Sequence, residues 1–239
     1  ISFTQVVRLN PYFPEGFNNL GTILMDQGKF EEAIKNFDQA LLLNPDYTIC
    51  HYNKGIIFKN IGIFDEAIEV YYKAISLKPD YAEAYNNIGV ILKEQDKLEE
   101  AVEVYNKALS INPNFFEALF NLSIVLRHQN KFDEAIQSYI KVLSIKPNNV
   151  DAYNDLGIIR ASLGEFNQAL ELFKKALVLK PDFADVYNNI GNINVEQGMF
   201  TEALEMFRKS LTINPRQYDA LNNISNIYQV QGHLKDAID

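Results

Sequence analysis

One cysteine in 239 residues is too few for a disulfide framework. That points to a reducing compartment, and a cytoplasmic location is the expectation. Nowhere does the chain approach the roughly 17 consecutive apolar residues that a membrane-spanning helix needs. The opening residues show no basic segment followed by an apolar one, so no signal peptide is expected. Cations are outnumbered, with 22 Lys and Arg against 31 Asp and Glu and a net charge of −9. Binding a phosphate backbone needs a strongly basic face, which a chain of that charge is not expected to carry, and this speaks against nucleic acid as a partner. Histidines number three, His51, His128 and His233, too scattered for a metal motif. CxxC, HExxH, GxSxG and Walker-type loops are all missing. No metal, no cofactor and no catalytic residue is therefore expected, and the chain reads as a non-enzyme. Low-complexity segments and linkers are absent too.

What is present is a period. Pro11, Pro45, Pro79, Pro113, Pro147, Pro181 and Pro215 are each 34 residues apart. Ala33, Ala67, Ala101, Ala135, Ala169, Ala203 and Ala237 repeat the same interval. A fixed period of this length marks a stack of supersecondary units. Residues 14–217 hold six complete units, residues 1–13 match the second half of a preceding one, and residues 218–239 begin a seventh. Both ends thus fall inside a unit, and a fragment of a longer array is expected, read as one continuous domain.

Each unit contains two apolar stripes at helical spacing. In the central unit Ala84, Ile88, Ile91 and Leu92 form the first, and Leu98, Ala101, Val102, Tyr105, Ala108, Leu109 and Ile111 the second. Gly28, Gly62, Asp96, Asn130, Gly164, Gly198 and Gly232 fall between the stripes, residues that tolerate the left-handed conformation ending a helix. Proline stops the second stripe. Every unit is accordingly a helix A, a tight turn, a helix B and a proline turn. Helices A are expected over 14–27, 49–61, 83–95, 117–129, 151–163, 185–197 and 219–231, with no β-strand anywhere. Acid pairs such as Glu31–Glu32 and Glu99–Glu100 open helix B and suit its positive N-terminus.

Small residues recur in the middle of helix A, at Gly21, Gly55, Gly89, Ser123, Gly157, Gly191 and Ser225. Glycine there costs about 1 kcal/mol against alanine, so its recurrence implies a close approach by helix B. The repeated alanines of helix B are expected to supply the other side, Ala101 against Gly89, with Phe37, Tyr71, Tyr105, Tyr139, Phe173 and Phe207 packed beside them. Cys50 stands where other units have Ala84, Ala118 or Ala152, and reads as a small core residue. Ile224, Ile227 and Tyr228 lack a complete helix B and are expected to be covered by another copy through self-association, to be covered by packing, or to be poorly ordered.

In residues 14–47 the recurring positions are Phe17, Leu20, Gly21, Leu24, Ala33, Phe37, Ala40 and Pro45. This pattern resembles the tetratricopeptide repeat, and the resemblance covers the whole chain. Departures are local: His51 and Leu119 replace the first aromatic, Lys54 the leucine, and Arg160 and Asn194 a bulky residue. The resemblance implies an all-α, right-handed superhelical solenoid of antiparallel helix pairs. Its helices A would line a concave groove that binds extended protein segments.

On helix A the second, fifth, sixth, ninth, twelfth and thirteenth residues of each unit lie opposite the packed stripe. The sixth is Asn19, Asn53, Asn87, Asn121, Asp155, Asn189 and Asn223. Asparagine is a poor helix former, so its recurrence at one register calls for a reason. Its amide offers two donors and two acceptor lone pairs. Two uses are open: gripping the backbone of an extended peptide, or bonding the neighbouring helix. Asp155 lacks the donor and should weaken its rung. One turn earlier run Glu15, Glu83, Glu117, Asp151, Asp185 and Asp219, broken by Ile49. The acid-and-Asn ladder resembles the superhelical arm of O-linked N-acetylglucosamine transferases. That resemblance implies grip by Asn87, Asn121 and Asn189 and selection by Glu83, Glu117 and Asp185. Lys59, Lys93 and Arg127 form a basic stripe at the twelfth position, a candidate contact for an acidic ligand residue. The expected function is a protein-binding scaffold; the alternative is the recruiting arm of a larger transferase whose catalytic domain lies outside this chain.

Overall fold

In the computed structural model Asn10 and residues 12–232 are described. The partial helix expected over 1–13 and the helix B expected after Gly232 lie outside the described residues. Among the described residues there are thirteen helices and no strand. Helices A are α1 (Pro14–Asp26), α3 (Thr48–Asn60), α5 (Ala82–Glu94), α7 (Phe116–His128), α9 (Val150–Ser162), α11 (Ala184–Glu196) and α13 (Tyr218–Val230). Helices B are α2 (Phe30–Leu43), α4 (Phe64–Leu77), α6 (Leu98–Ile111), α8 (Phe132–Ile145), α10 (Phe166–Leu179) and α12 (Phe200–Ile213). The expected helix A ranges agree to within one residue at each end. None of the described helices is long and apolar enough to cross a membrane.

The turn from A to B is a double hydrogen bond. The N–H of Gly28 donates to Met25 O at 2.9 Å and the N–H of Lys29 to Leu24 O at 2.9 Å. This is the Schellman arrangement, which satisfies carbonyls that the helix end would otherwise orphan. It needs a left-handed residue, and the chain supplies one even where glycine is missing: Asp96 has φ 59° and Asn130 φ 56°. The carbonyl of Lys29 then accepts from the N–H of Ala33 at 3.0 Å, so closing one helix opens the next.

The chain divides into two compact units, Ile1–Val125 and Leu126–Asp239. In the first, α1 packs on α2, α3 on α4 and α5 on α6. Each of α2 and α4 also touches the following helix A, and α1 meets α3 as α3 meets α5. In the second, α9 packs on α10 and α11 on α12. There α8, α10 and α12 each touch the following helix A, and α9 meets α11 as α11 meets α13.

The close approach of A and B is made by an aromatic ring. A Cβ built on Gly89 would lie 2.5 Å from Tyr105 Cε1 and 2.7 Å from its Cζ. Gly21 meets Phe37 at 2.7 Å in the same sense, and at 2.5 Å Gly55 meets Tyr71, Gly157 meets Phe173 and Gly191 meets Phe207. This corrects the expectation that the helix B alanine occupies the glycine gap: the ring lies over the bare backbone. Ala33, Ala67, Ala101, Ala135, Ala169 and Ala203 are nonetheless fully buried. Cys50 is fully buried as expected. Its thiol donates to Phe37 O at 3.3 Å, and burial pushes its pKa up to about 12. Ile227 is covered by packing: it is 2% exposed and lies against Ala203 and Phe207 of the preceding repeat. Lys54, in place of the usual leucine, reaches out to Asp38 at 2.6 Å.

Gly89→Ala should destabilise the fold. The ring of Tyr105 is fully buried and has no room to retreat, so overpacking of about 1–3 kcal/mol outweighs the roughly 1 kcal/mol that alanine gains in helix propensity. Chemical denaturation of the variant checks this; a midpoint equal to the parent's would show that the ring does not set the spacing.

Candidate functional site

Helices A carry the candidate residues, and the neighbouring helix A decides what each can do. Asn222 is exposed, but the other fifth-position asparagines, expected beside the sixth on the open face, are instead buried: Asn18 and Asn188 are 6% exposed, Asn86 8% and Asn154 9%. They sit where one helix A abuts the next, and they are the acceptors of the ladder. Asn53 Nδ2 donates to Asn18 Oδ1 at 3.3 Å, Asn121 Nδ2 to Asn86 Oδ1 at 3.2 Å, Asn189 Nδ2 to Asn154 Oδ1 at 3.0 Å and Asn223 Nδ2 to Asn188 Oδ1 at 3.4 Å. Where the fifth residue is Tyr52, its hydroxyl accepts from Asn87 Nδ2 at 3.1 Å. So the bond to the neighbouring helix is made, and its acceptor is a residue that a single-helix wheel misplaces. The recurrence of asparagine at the fifth position, at Asn18, Asn86, Asn154, Asn188 and Asn222, was the available signal.

The rungs differ in what they have left. Asn53 is 8% exposed, and its Nδ2 also contacts Thr22 Oγ1 at 3.4 Å. Asn223 spends its Nδ2 on Asn192 Oδ1 as well, at 2.8 Å. Asn87 has both ends engaged, since its Oδ1 accepts from Lys59 Nζ at 2.9 Å. Burial holds the pKa of that lysine down, against a smaller upward pull from Glu94. Asn19 accepts only a long 3.5 Å contact from Asn18. Asn121 and Asn189 are half-buried, each makes the rung bond alone, and each keeps an amide oxygen and one N–H for something else.

Asp155 departs from the ladder as its chemistry requires. Its Oδ2 accepts from the hydroxyl of Tyr139 at 2.8 Å, and its Oδ1 lies 3.9 Å from Arg127 Nη2. Burial raises its pKa above the ordinary carboxyl value of 3.8, while Tyr139 and Arg127 pull it back down and Asp151 adds to the rise. Arg127 is thereby an internal partner rather than a free member of a basic stripe. Lys93 remains half-buried on α5. Glu15, Glu83, Glu117, Asp151, Asp185 and Asp219 are exposed, and Asp185 Oδ1 accepts from Gln217 Nε2 at 2.8 Å. Groups of three His, Cys, Asp or Glu side chains able to hold a metal are absent among the described residues.

A family model described as Tetratricopeptide repeat matches residues 14–47, 82–115 and 184–217. Further tetratricopeptide models match residues 61–96, 124–164 and 157–198, and residues 104–137. The chain belongs to the tetratricopeptide-repeat family. Solved structures agree on this all-α repeat fold. "YrrB: a TPR protein with an unusual peptide-binding site" is 23% identical, with a TM-score of 0.66 over 78% of this chain and 96% of that one. MamA is 28% identical, with a TM-score of 0.64 over 67% and 94%, and Pseudomonas aeruginosa PilF 19%, with 0.74 over 91% and 97%. Among curated proteins none matches. A tetratricopeptide fold is one typical of protein–protein interaction.

Two measurements test the buried polar groups of these repeats. The hydroxyls of Tyr71 and Tyr105 are buried without a hydrogen-bond partner, whereas that of Tyr139 has Asp155. An unpartnered buried hydroxyl costs roughly 1–3 kcal/mol. Tyr105→Phe should therefore stabilise the protein, and Tyr139→Phe should destabilise it, as read by thermal unfolding. Asp155 binds its proton more tightly folded than unfolded, so it favours the fold most at low pH. That advantage is lost as pH rises from about 4 through the raised native pKa. Plotted against pH, the stability of the parent minus that of Asp155→Asn should fall over this window and be flat above it; a difference rising with pH would reverse the assignment.

Proposed function

We propose that this tetratricopeptide chain is a binding scaffold with no reaction of its own, and that it holds extended protein segments along its helix A face. The observation that carries the reading is the state of Asn121 and Asn189. Each amide is fixed in orientation by donating one N–H to the helix before it, and each keeps its oxygen and second N–H. An extended strand presents alternating N–H and C=O groups, which an amide can bind as donor and acceptor together. A grip already held in place loses little freedom on binding. The exposed first-turn acids flank the same face and would bias the choice of segment.

Two variants separate grip from structure. Asn53→Ala deletes a rung whose donors are already used, so it should lower the melting temperature and leave peptide affinity intact. Asn121→Ala deletes a rung that also faces the ligand. At roughly 0.5–1.5 kcal/mol per hydrogen bond, affinity should fall about five- to a hundred-fold. Titration of one peptide, selected from an array, against both variants reads the result. Equal affinities would confine the ladder to its structural role.

A further inference from the structure

Helices α9, α10 and α11 leave a recess of about 470 Å³ on the second unit. Phe166 and Ile193 give it apolar walls, and Asn189, Asn192 and Glu196 bring polar groups to it. A second recess, of about 360 Å³, lies one repeat further on. Phe200 and Ile227 stand in it where Phe166 and Ile193 stand in the first, and Asn223 and Asn226 where Asn189 and Asn192 stand. Asn192 and Glu196 line both. The recess is thus a repeated feature of the helix A stack, and a single carboxylate is shared between two consecutive copies.

That carboxylate is unanswered. Among the described residues Glu196 is exposed and forms no ion pair, and none of those lining either recess is a cation. The two arginines of helices A in this unit are already engaged, Arg127 beside Asp155 and Arg160 on Glu165. Asp185 and Asp219 add negative charge to the first turns of α11 and α13. An apolar wall with a carboxylate and amide oxygens at its rim fits a side chain that is aliphatic along its stem and cationic at its tip.

We infer that these recesses are side-chain subsites for lysine or arginine of the bound segment, with Glu196 serving both. The inference rests on the peptide-binding reading and adds a sequence rule to it. Packed helix axes lie about 8–10 Å apart and an extended chain advances about 3.3 Å per residue, so neighbouring subsites are roughly three residues apart. The preferred ligand is an extended segment with two basic residues separated by two others.

The test uses the full chain and a set of peptides on one extended scaffold, with Arg-x-x-Arg, Gln-x-x-Gln or Glu-x-x-Glu at the two positions. The parent should bind the arginine peptide roughly five- to tenfold more tightly than the glutamine peptide, the scale of a charge-assisted bond. Glu196→Gln should erase that preference and leave the glutamine peptide unchanged; Glu196→Lys should turn it toward the glutamate peptide. Glu202→Gln, on the exposed first turn of α12, removes the same charge away from both recesses and should leave the preference intact. If Glu202→Gln acts as strongly as Glu196→Gln, the preference belongs to the net charge of −9 and the subsites fall. Equal binding of all three peptides by the parent sinks the subsites while leaving the scaffold reading in place. Binding of none of them overturns both.

Discussion

An aromatic ring resting on bare backbone is the contact from which the rest of this structure follows. Five of the helix pairs close to the thickness of a ring because glycine offers no side chain at the point of approach: Phe37 on Gly21, Tyr71 on Gly55, Tyr105 on Gly89, Phe173 on Gly157 and Phe207 on Gly191. That spacing places helix B so that the next helix A can lie directly against the one before. Only at such short range can an asparagine on one helix A reach the fifth residue of its neighbour, at 3.0 to 3.4 Å. The packing of A on B therefore governs the polar contacts of A on A, and through them the groups presented outward.

The ladder shows how one residue type at one register acquires different roles. Buried polar atoms must find partners, and asparagine has more bonding capacity than a single rung consumes. What happens to the remainder is set by the neighbours. Thr22 absorbs it at Asn53, Lys59 at Asn87 and Asn192 at Asn223, while Asn121 and Asn189 retain theirs. Asp155 inverts the pattern. A carboxylate has nothing to donate, and the donors come to it instead, from Tyr139 and Arg127.

The repeat made the helices legible before any coordinate. Proline spacing, the residues between the stripes and the mid-helix glycines placed every helix A to within a residue. They also anticipated left-handed backbone at Asp96 and Asn130, where the residue is not glycine. The site was legible only in part. A wheel drawn for one helix has a single buried stripe, whereas helix A is buried along two, against helix B and against the next helix A. The fifth residue belongs to the second stripe, so Asn86 was assigned to the open face although it is 8% exposed. Pairing the wrong partners across the glycine gap has a similar origin. Periodicity says that Ala101 and Tyr105 share a face, but not which of them projects far enough to meet Gly89.

The hydrogen bonds of the ladder join positions 35 apart, one repeat plus a single residue. A gene for such a chain can gain or lose material only in whole quanta. Duplicating 34 codons inserts a new pair of helices and hands every ring a glycine and every sixth-position residue a fifth-position neighbour. Adding ten codons within a helix would sever the register on both sides. Growth by unequal crossing-over therefore keeps the existing contacts in register and adds the new repeat's own stability to theirs, and the number of subsites along the face can change by steps without any one of them being rebuilt.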